Sequence, residues 1–194
     1  MTKVAVVFAD GCEEVEGLSV VDVLRRLNIE CDMVGLDKKE IHGDHNILIT
    51  CDKIVDDSLL DYDLVAFPGG KTGAENLRDN KKLAGLMIKR HKEGKWDAAM
   101  CAAPIALSRY GILNDTNYTC YPGFEDVIKK ECPTGNFSTR ITVTDNKQKV
   151  ITSRAPATAW AYAYAIAEAL GYNTDELKKG MLYDYLAENI KESL

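Results

Sequence analysis

Cys101 stands between a short apolar run, residues 96–100 (WDAAM), and a segment rich in helix formers, residues 102–110, with a proline at its third position. A strand followed by a helix would put this thiol on the bend between them. A thiol near a helix N-terminus feels the positive end of the dipole. Its pKa can then fall from about 8.5 into the range of roughly 3.5 to 7.5, which makes it a nucleophile. The bend resembles a nucleophile elbow in which alanines replace the glycines of G-x-S-x-G. The competing role is that of a small buried residue, which most of the six cysteines (Cys12, Cys31, Cys51, Cys101, Cys120 and Cys132) must fill.

Two further stretches carry chemistry. The segment ADGCEEVEG places Glu13, Glu14 and Glu16 within four positions. Acidic residues suit the first turn of a helix, and residues about 100° apart around it point in different directions. One of the three can therefore face a cleft while the others face water or a partner chain. The segment FPGGKTGAENL, residues 67–77, sets Gly69 and Gly70 directly after an apolar run, where the backbone can turn tightly and present N–H groups. It matches neither phosphate-loop pattern, and an oxyanion-binding turn beside a nucleophile is the alternative use.

These segments need a scaffold to bring them together. Residues 4–8, 31–35, 47–50, 64–67, 98–100, 118–120, 141–144 and 150–153 read as strands, and residues 14–27, 81–93, 104–110, 124–130, 156–170 and 174–190 as helices. This alternation predicts an α/β fold with a mainly parallel central sheet and helices on both faces, in one domain spanning residues 1–194. Residues 37–46 and 134–139 read as surface excursions, and 145–149 (DNKQK) as a hairpin turn. In such a sheet, sites lie beyond the carboxyl ends of the strands, which points to the loops after Phe8, Phe67, Met100, Cys120 and Ser153.

Composition narrows the function classes. With 24 Lys+Arg against 30 Asp+Glu and no basic cluster, nucleic-acid binding is disfavoured. No apolar run approaches membrane-spanning length, and the N-terminus lacks a secretory pattern, so a cytoplasmic protein is expected. The cysteines form no C-x-x-C pair, and His42, His45 and His91 offer no metal-ligand spacing, so reduced thiols and no metal are expected.

The ordered motifs ADGCEEVE, FPGGKTGAENL, AMCAAPIAL and ITSRAPATAWAYAYAIAEAL, spread over nearly the whole chain, resemble the ThiJ/PfpI superfamily, most closely the branch of the parkinsonism-associated protein deglycase and its bacterial relatives. The resemblance implies a flavodoxin-like three-layer sandwich, usually a homodimer, with a strained cysteine at the elbow. It implies that Cys101 is the nucleophile and that the protonated carboxyl of Glu16 hydrogen-bonds to its thiolate. Backbone N–H groups of Gly70 and Ala102 would face the reacting oxygen, Glu13 and Arg26 would lie near the dimer contact, and Arg154 would sit in the S-R-x-P turn close to the site.

Three positions depart from the pattern. Tyr121 precedes Pro122 where the best-known member has a histidine, Ala102 follows Cys101 where the protease-like branch has its catalytic histidine, and His45 stands roughly where relatives carry an arginine. A Cys-His protease or amidotransferase is thereby disfavoured.

The resemblance implies a cofactor-independent enzyme acting on a small aldehyde or glycated substrate: a glutathione-independent glyoxalase turning methylglyoxal into lactate, or a deglycase of early protein adducts. A rival of another class is a redox-responsive or chaperone-like stress protein in which Cys101 is oxidised to sulfinate, with Cys12 or Cys120 as resolving thiols. A nucleotide or flavin binder is a third option, but three carboxylates after the first strand would repel phosphate.

Overall fold

The computed structural model describes residues 2–192. In chain order they form β1 (Lys3–Phe8), α1 (Glu14–Arg26), β2 (Glu30–Gly35), β3 (Glu40–His42), β4 (Leu48–Thr50), β5 (Lys53–Ile54), β6 (Leu64–Phe67), α2 (Lys71–Asp79), α3 (Lys81–Lys92), β7 (Trp96–Met100), α4 (Pro104–Arg109), β8 (Asn117–Tyr118), α5 (Glu125–Glu131), β9 (Asn136–Phe137), β10 (Thr142–Asp145), β11 (Val150–Ser153), α6 (Ala159–Ala169), α7 (Asp175–Gly180) and α8 (Tyr183–Asn189).

The main sheet runs β10-β11-β7-β6-β1-β2-β5, and all its neighbours are parallel except the β10–β11 hairpin. Residues alternate between the two faces of a strand. In β1, Val4, Val6 and Phe8 join one buried cluster, with Leu24 of α1 and Tyr162 and Ile166 of α6, while Ala5 and Val7 join the other, with Leu77, Leu83 and Ile105. Covering both faces requires an apolar residue at nearly every strand position, which is why β1 and β6 read as unbroken apolar runs.

The chain moves outward from β1 to β2 and then returns to build β6 on the other side of β1. This reversal opens a crevice at the carboxyl ends of β1 and β6, with β7 next in line.

Several sequence expectations are corrected. Residues 71–79 form helix α2 although GGKTG reads as loop: Gly73 lies inside it because a Cβ there would stand 2.6 Å from Cys12 Cα. The expected helix 174–190 breaks into α7 and α8 at Leu182, which takes a φ of 57° just after Gly180. Residues 37–46 contain β3, which pairs with β4 in a separate hairpin, and residues 134–139 contain β9, which pairs with β8.

Candidate active site

Helix α1 starts with a side-chain cap. Glu13 Oε2 accepts the Glu16 N–H at 2.8 Å, satisfying a donor that the first helical turn leaves unpaired. The capped turn aims Glu16 into the crevice, where its side chain is fully buried and Oε2 accepts the Gly69 N–H at 2.7 Å. Glu14 points toward the β3–β4 hairpin and accepts from the His45 backbone N–H at 2.8 Å and contacts His45 Nδ1 at 2.9 Å. All three carboxylates are therefore buried, at 9%, 2% and 0% exposure for Glu13, Glu14 and Glu16, and none faces water as expected from their spread around a helix.

Cys101 occupies the bend after β7 with a φ of 59°, a left-handed conformation that costs a non-glycine residue about 1–2 kcal/mol. Neighbouring backbone fixes it there. Its N–H donates to Ser153 O at 3.1 Å, and its carbonyl accepts the Tyr121 N–H at 2.8 Å. Two adjacent strand-end loops thus clamp the residue from opposite sides.

The β6 loop closes against the sulfur. A Cβ on Gly69 would lie 2.6 Å from Cys101 Cβ and 2.8 Å from Glu16 Oε2, so only glycine permits this approach. Gly70, at a φ of 79°, packs equally tightly on the loop after β1. Gly69→Ala is expected to cost roughly 1–3 kcal/mol through overpacking. Gly85→Ala, exposed on α3 with nothing within 4 Å of the added carbon, is expected to gain about 1 kcal/mol. Urea melts of the two variants check the contrast.

Burial pushes the Glu16 carboxyl up to about 7, against the pull of the Gly69 N–H. Glu16 also lies against the Cys101 sulfur, although its Oε1 meets no partner of good hydrogen-bond geometry among the described residues. The Cys101 thiol is raised, first by burial and then by the Glu16 carboxylate, while the Gly70 and Ala102 N–H groups pull it down. Burial and the Glu16 charge thus act on this thiol in the opposite sense to the lowering that a place near a helix N-terminus predicts. The upward push from Glu16 exists only while that carboxyl is ionised. Thiol and carboxyl are thus coupled, and a proton on either favours the charged form of the other.

The DJ-1/PfpI family pattern matches residues 2–169. The chain belongs to the DJ-1/PfpI family. Within it, the chain is similar to the DJ-1 proteins: it is 32% identical to protein dj-1beta of Drosophila melanogaster over 195 residues, covering 95% of this chain and 100% of that protein. The crystal structure of that protein superposes with a TM-score of 0.85, covering 93% of this chain and 97% of the other at 29% identity. Oxidized Toxoplasma gondii DJ-1 superposes with a TM-score of 0.84 at 30% identity, covering 96% and 98%. DJ-1 homolog B of Arabidopsis thaliana is 30% identical over 172 residues, 87% of this chain, but the chain spans only 38% of its length. The flavodoxin-like architecture expected from the sequence is the one observed.

Around the pair, this DJ-1/PfpI member distributes its other expected site residues unevenly. Gly70 and Ala102, expected to turn their N–H groups toward a reacting oxygen, have them against the Cys101 sulfur, and the Gly69 N–H is committed to Glu16. Tyr121 is tied to Cys101 through its backbone while the residue is 44% exposed and its ring packs edge-on to Phe124. Arg154 Nη1 donates to Thr119 Oγ1 at 3.3 Å and its charge acts on Cys120. Arg26 lies outside the site, in the last turn of α1, where its Nε donates to Asp22 at 2.8 Å. Glu13 serves as the helix cap. Cys12 and Cys120 are fully buried, and burial pushes both thiols up to about 12.

Glu13, Glu14 and His45 bring three ligand-type atoms within 4.8 Å of one another. The Glu14 and His45 atoms are engaged in their ion pair and Glu13 Oε2 in the cap, so the group is a structural clasp between α1 and the hairpin. The sequence did not single out Thr158, whose Oγ1 accepts the Ala155 N–H at 3.0 Å and so shapes the turn carrying Arg154. Its place two residues after Pro156 was the available signal.

Proposed function

We propose that this chain is a cofactor-independent enzyme acting on small 2-oxoaldehydes such as methylglyoxal, or on their early adducts with amines and thiols. The observation that carries the reading is the pairing of a strained Cys101 with the buried Glu16 carboxyl, which burial raises to about 7. In the proposed route, Glu16 takes the thiol proton as sulfur adds to the aldehyde carbon and passes it to the forming oxyanion, which leaves a neutral hemithioacetal and an ionised Glu16; the backbone N–H groups of Gly70 and Ala102 would steady that oxygen while its charge develops. Glu16 then removes the proton on the former aldehyde carbon and returns one to the neighbouring carbon through an enediol. The product is a lactoyl thioester on Cys101, and water releases lactate and the thiol. One acid–base group suffices, which suits a site where Tyr121 replaces a histidine. The test is saturable, glutathione-free formation of lactate from methylglyoxal by the reduced protein.

A second reading has Cys101 as an oxidation sensor, favoured by the similarity to a DJ-1 structure described as oxidized. No lactate from the reduced protein, together with a gain of two oxygens at Cys101 under peroxide, would favour it.

We further propose that the chain pairs with a second copy. Val15 and Leu18 on α1 are 50% and 37% exposed, and Ile47 and Leu48 at the β3–β4 hairpin are each 52% exposed. The clasp between Glu14 and His45 joins these two elements, and the exposed apolar side chains on both are what a second copy would cover. Light scattering is expected to give twice the chain mass for the wild type and the single mass for Val15→Asp/Leu18→Asp.

A further inference from the structure

The side chain of Tyr162, on α6, is fully buried, yet its hydroxyl has no hydrogen-bond partner among the described residues. A buried hydroxyl left unpaired costs about 1–3 kcal/mol, and a phenylalanine would fill the same space without that cost. Glu16 Oε1 is another buried oxygen without a partner among the described residues. Helix α6 packs on α1, the helix that carries Glu16, and Tyr162 shares a core cluster with Cys101, against which Glu16 lies. The charge of Glu16 acts on the Tyr162 hydroxyl, and the same hydroxyl faces the backbone N–H of Phe67, two residues before the Gly69 that binds Glu16 Oε2. Burial keeps this hydroxyl protonated throughout the neutral range, so it is a permanent donor.

We infer that Tyr162 is a positioning residue for Glu16: its hydroxyl supplies the second hydrogen bond, to Oε1, that the carboxyl takes when it is ionised. The need for it follows from the site. When Glu16 gives up its proton, the buried carboxylate has one backbone donor, the Gly69 N–H, which binds Oε2 and leaves Oε1 without a donor of good geometry among the described residues. Cys101 faces it from the β7 loop, and Glu13, on its own helix, opposes its charge. A second donor from α6 holds the ionised form within reach at neutral pH, where an acid–base group is most effective. The inference rests on the proposed acid–base role of Glu16 for its purpose, but the contact itself is testable without turnover.

The experiment is an infrared titration of the Glu16 carboxyl in the full chain, identified by subtracting Glu16→Gln, in wild type and Tyr162→Phe, with thermal melts of each. Loss of the donor is expected to raise the Glu16 midpoint by about one unit or more, since a hydrogen bond to a charged group is worth that much. A midpoint unchanged in a Tyr162→Phe variant that melts like wild type overturns the inference. A lower melting temperature with an unchanged midpoint also overturns it, showing a purely structural hydroxyl. If lactate formation fails in wild type but the midpoint still moves, the contact stands and only the aldehyde reading falls.

Discussion

Glu16→Gln is expected to abolish lactate formation from methylglyoxal and, in the same molecule, to raise stability above pH 7. The activity loss follows from the single acid–base group: the amide can neither take the thiol proton nor shuttle one between carbons. Removing such a group costs on the order of 100- to 10,000-fold. Cys101→Ser should be equally inactive, since it removes the sulfur nucleophile. In wild type the rate should climb as pH rises through about 7, where Glu16 ionises, and neither variant should show that limb. The stability gain follows from linkage. The Glu16 pKa rises from 4.5 to about 7 on folding, so below pH 4.5 both states hold the proton and the shift has no effect. As pH rises, the unfolded chain ionises first and gains on the folded one. Above pH 7 the full cost, about 3 kcal/mol, falls on the folded state. Glu16→Gln escapes that cost, so urea melts should show its advantage growing between pH 5 and pH 8. A flat difference across that range, or an active Glu16→Gln, would remove Glu16 from the assigned role.

The sequence made the scaffold legible where apolar runs were unbroken and punctuated. The strand ending at Phe8, helix α1, the bend at Cys101 and the 145–149 turn all fall where the patterns put them. Helix α2 was illegible because its glycines, needed to let it approach Cys12, imitate a loop. The acidic triplet at the start of α1 was visible as chemistry, but periodicity could not assign its members. Capping and a cross-element ion pair, not helical angle, decide that Glu13 holds the helix, Glu14 the hairpin, and Glu16 alone the site. The same limit hid the thiol's true environment: position at a bend suggests the dipole, while burial, a property of the assembled fold, sets the sign. Tyr162 was hidden by its setting, since A-x-A spacing along α6 reads as close packing and gives no sign of an unpaired hydroxyl.

Asp97→Asn is expected to be the most destabilising conservative change in the molecule while sparing the site. Asp97 lies in β7, where a charge inside an apolar run signals a paired partner, and that partner is Arg90 on α3. Both side chains are fully buried. Arg90 Nε donates to Asp97 Oδ1 at 3.1 Å, Nη1 donates to Leu59 O at 3.1 Å and Tyr62 O at 2.9 Å, and Nη2 donates to Trp96 O at 2.7 Å. Asp97 Oδ2 also meets His91 Nδ1 at 2.9 Å. One guanidinium thus ties α3 to the edge of β7 and to the turn before β6. The asparagine keeps the shape but leaves the arginine charge buried and uncompensated, which costs about 3–5 kcal/mol, a large share of the 5–15 kcal/mol typical of a folded domain. Arg90→Met/Asp97→Leu, which removes both charges, should cost much less despite changing more atoms. Asp97 lies near the start of β7, four residues before Cys101 on the bend that follows the strand, roughly 13 Å away. Cys101 alkylation rates, measured at a urea concentration where Asp97→Asn is still folded, should therefore match wild type. A double variant as unstable as Asp97→Asn would place the cost in lost packing; a slowed thiol would show that strain at one end of β7 reaches the other.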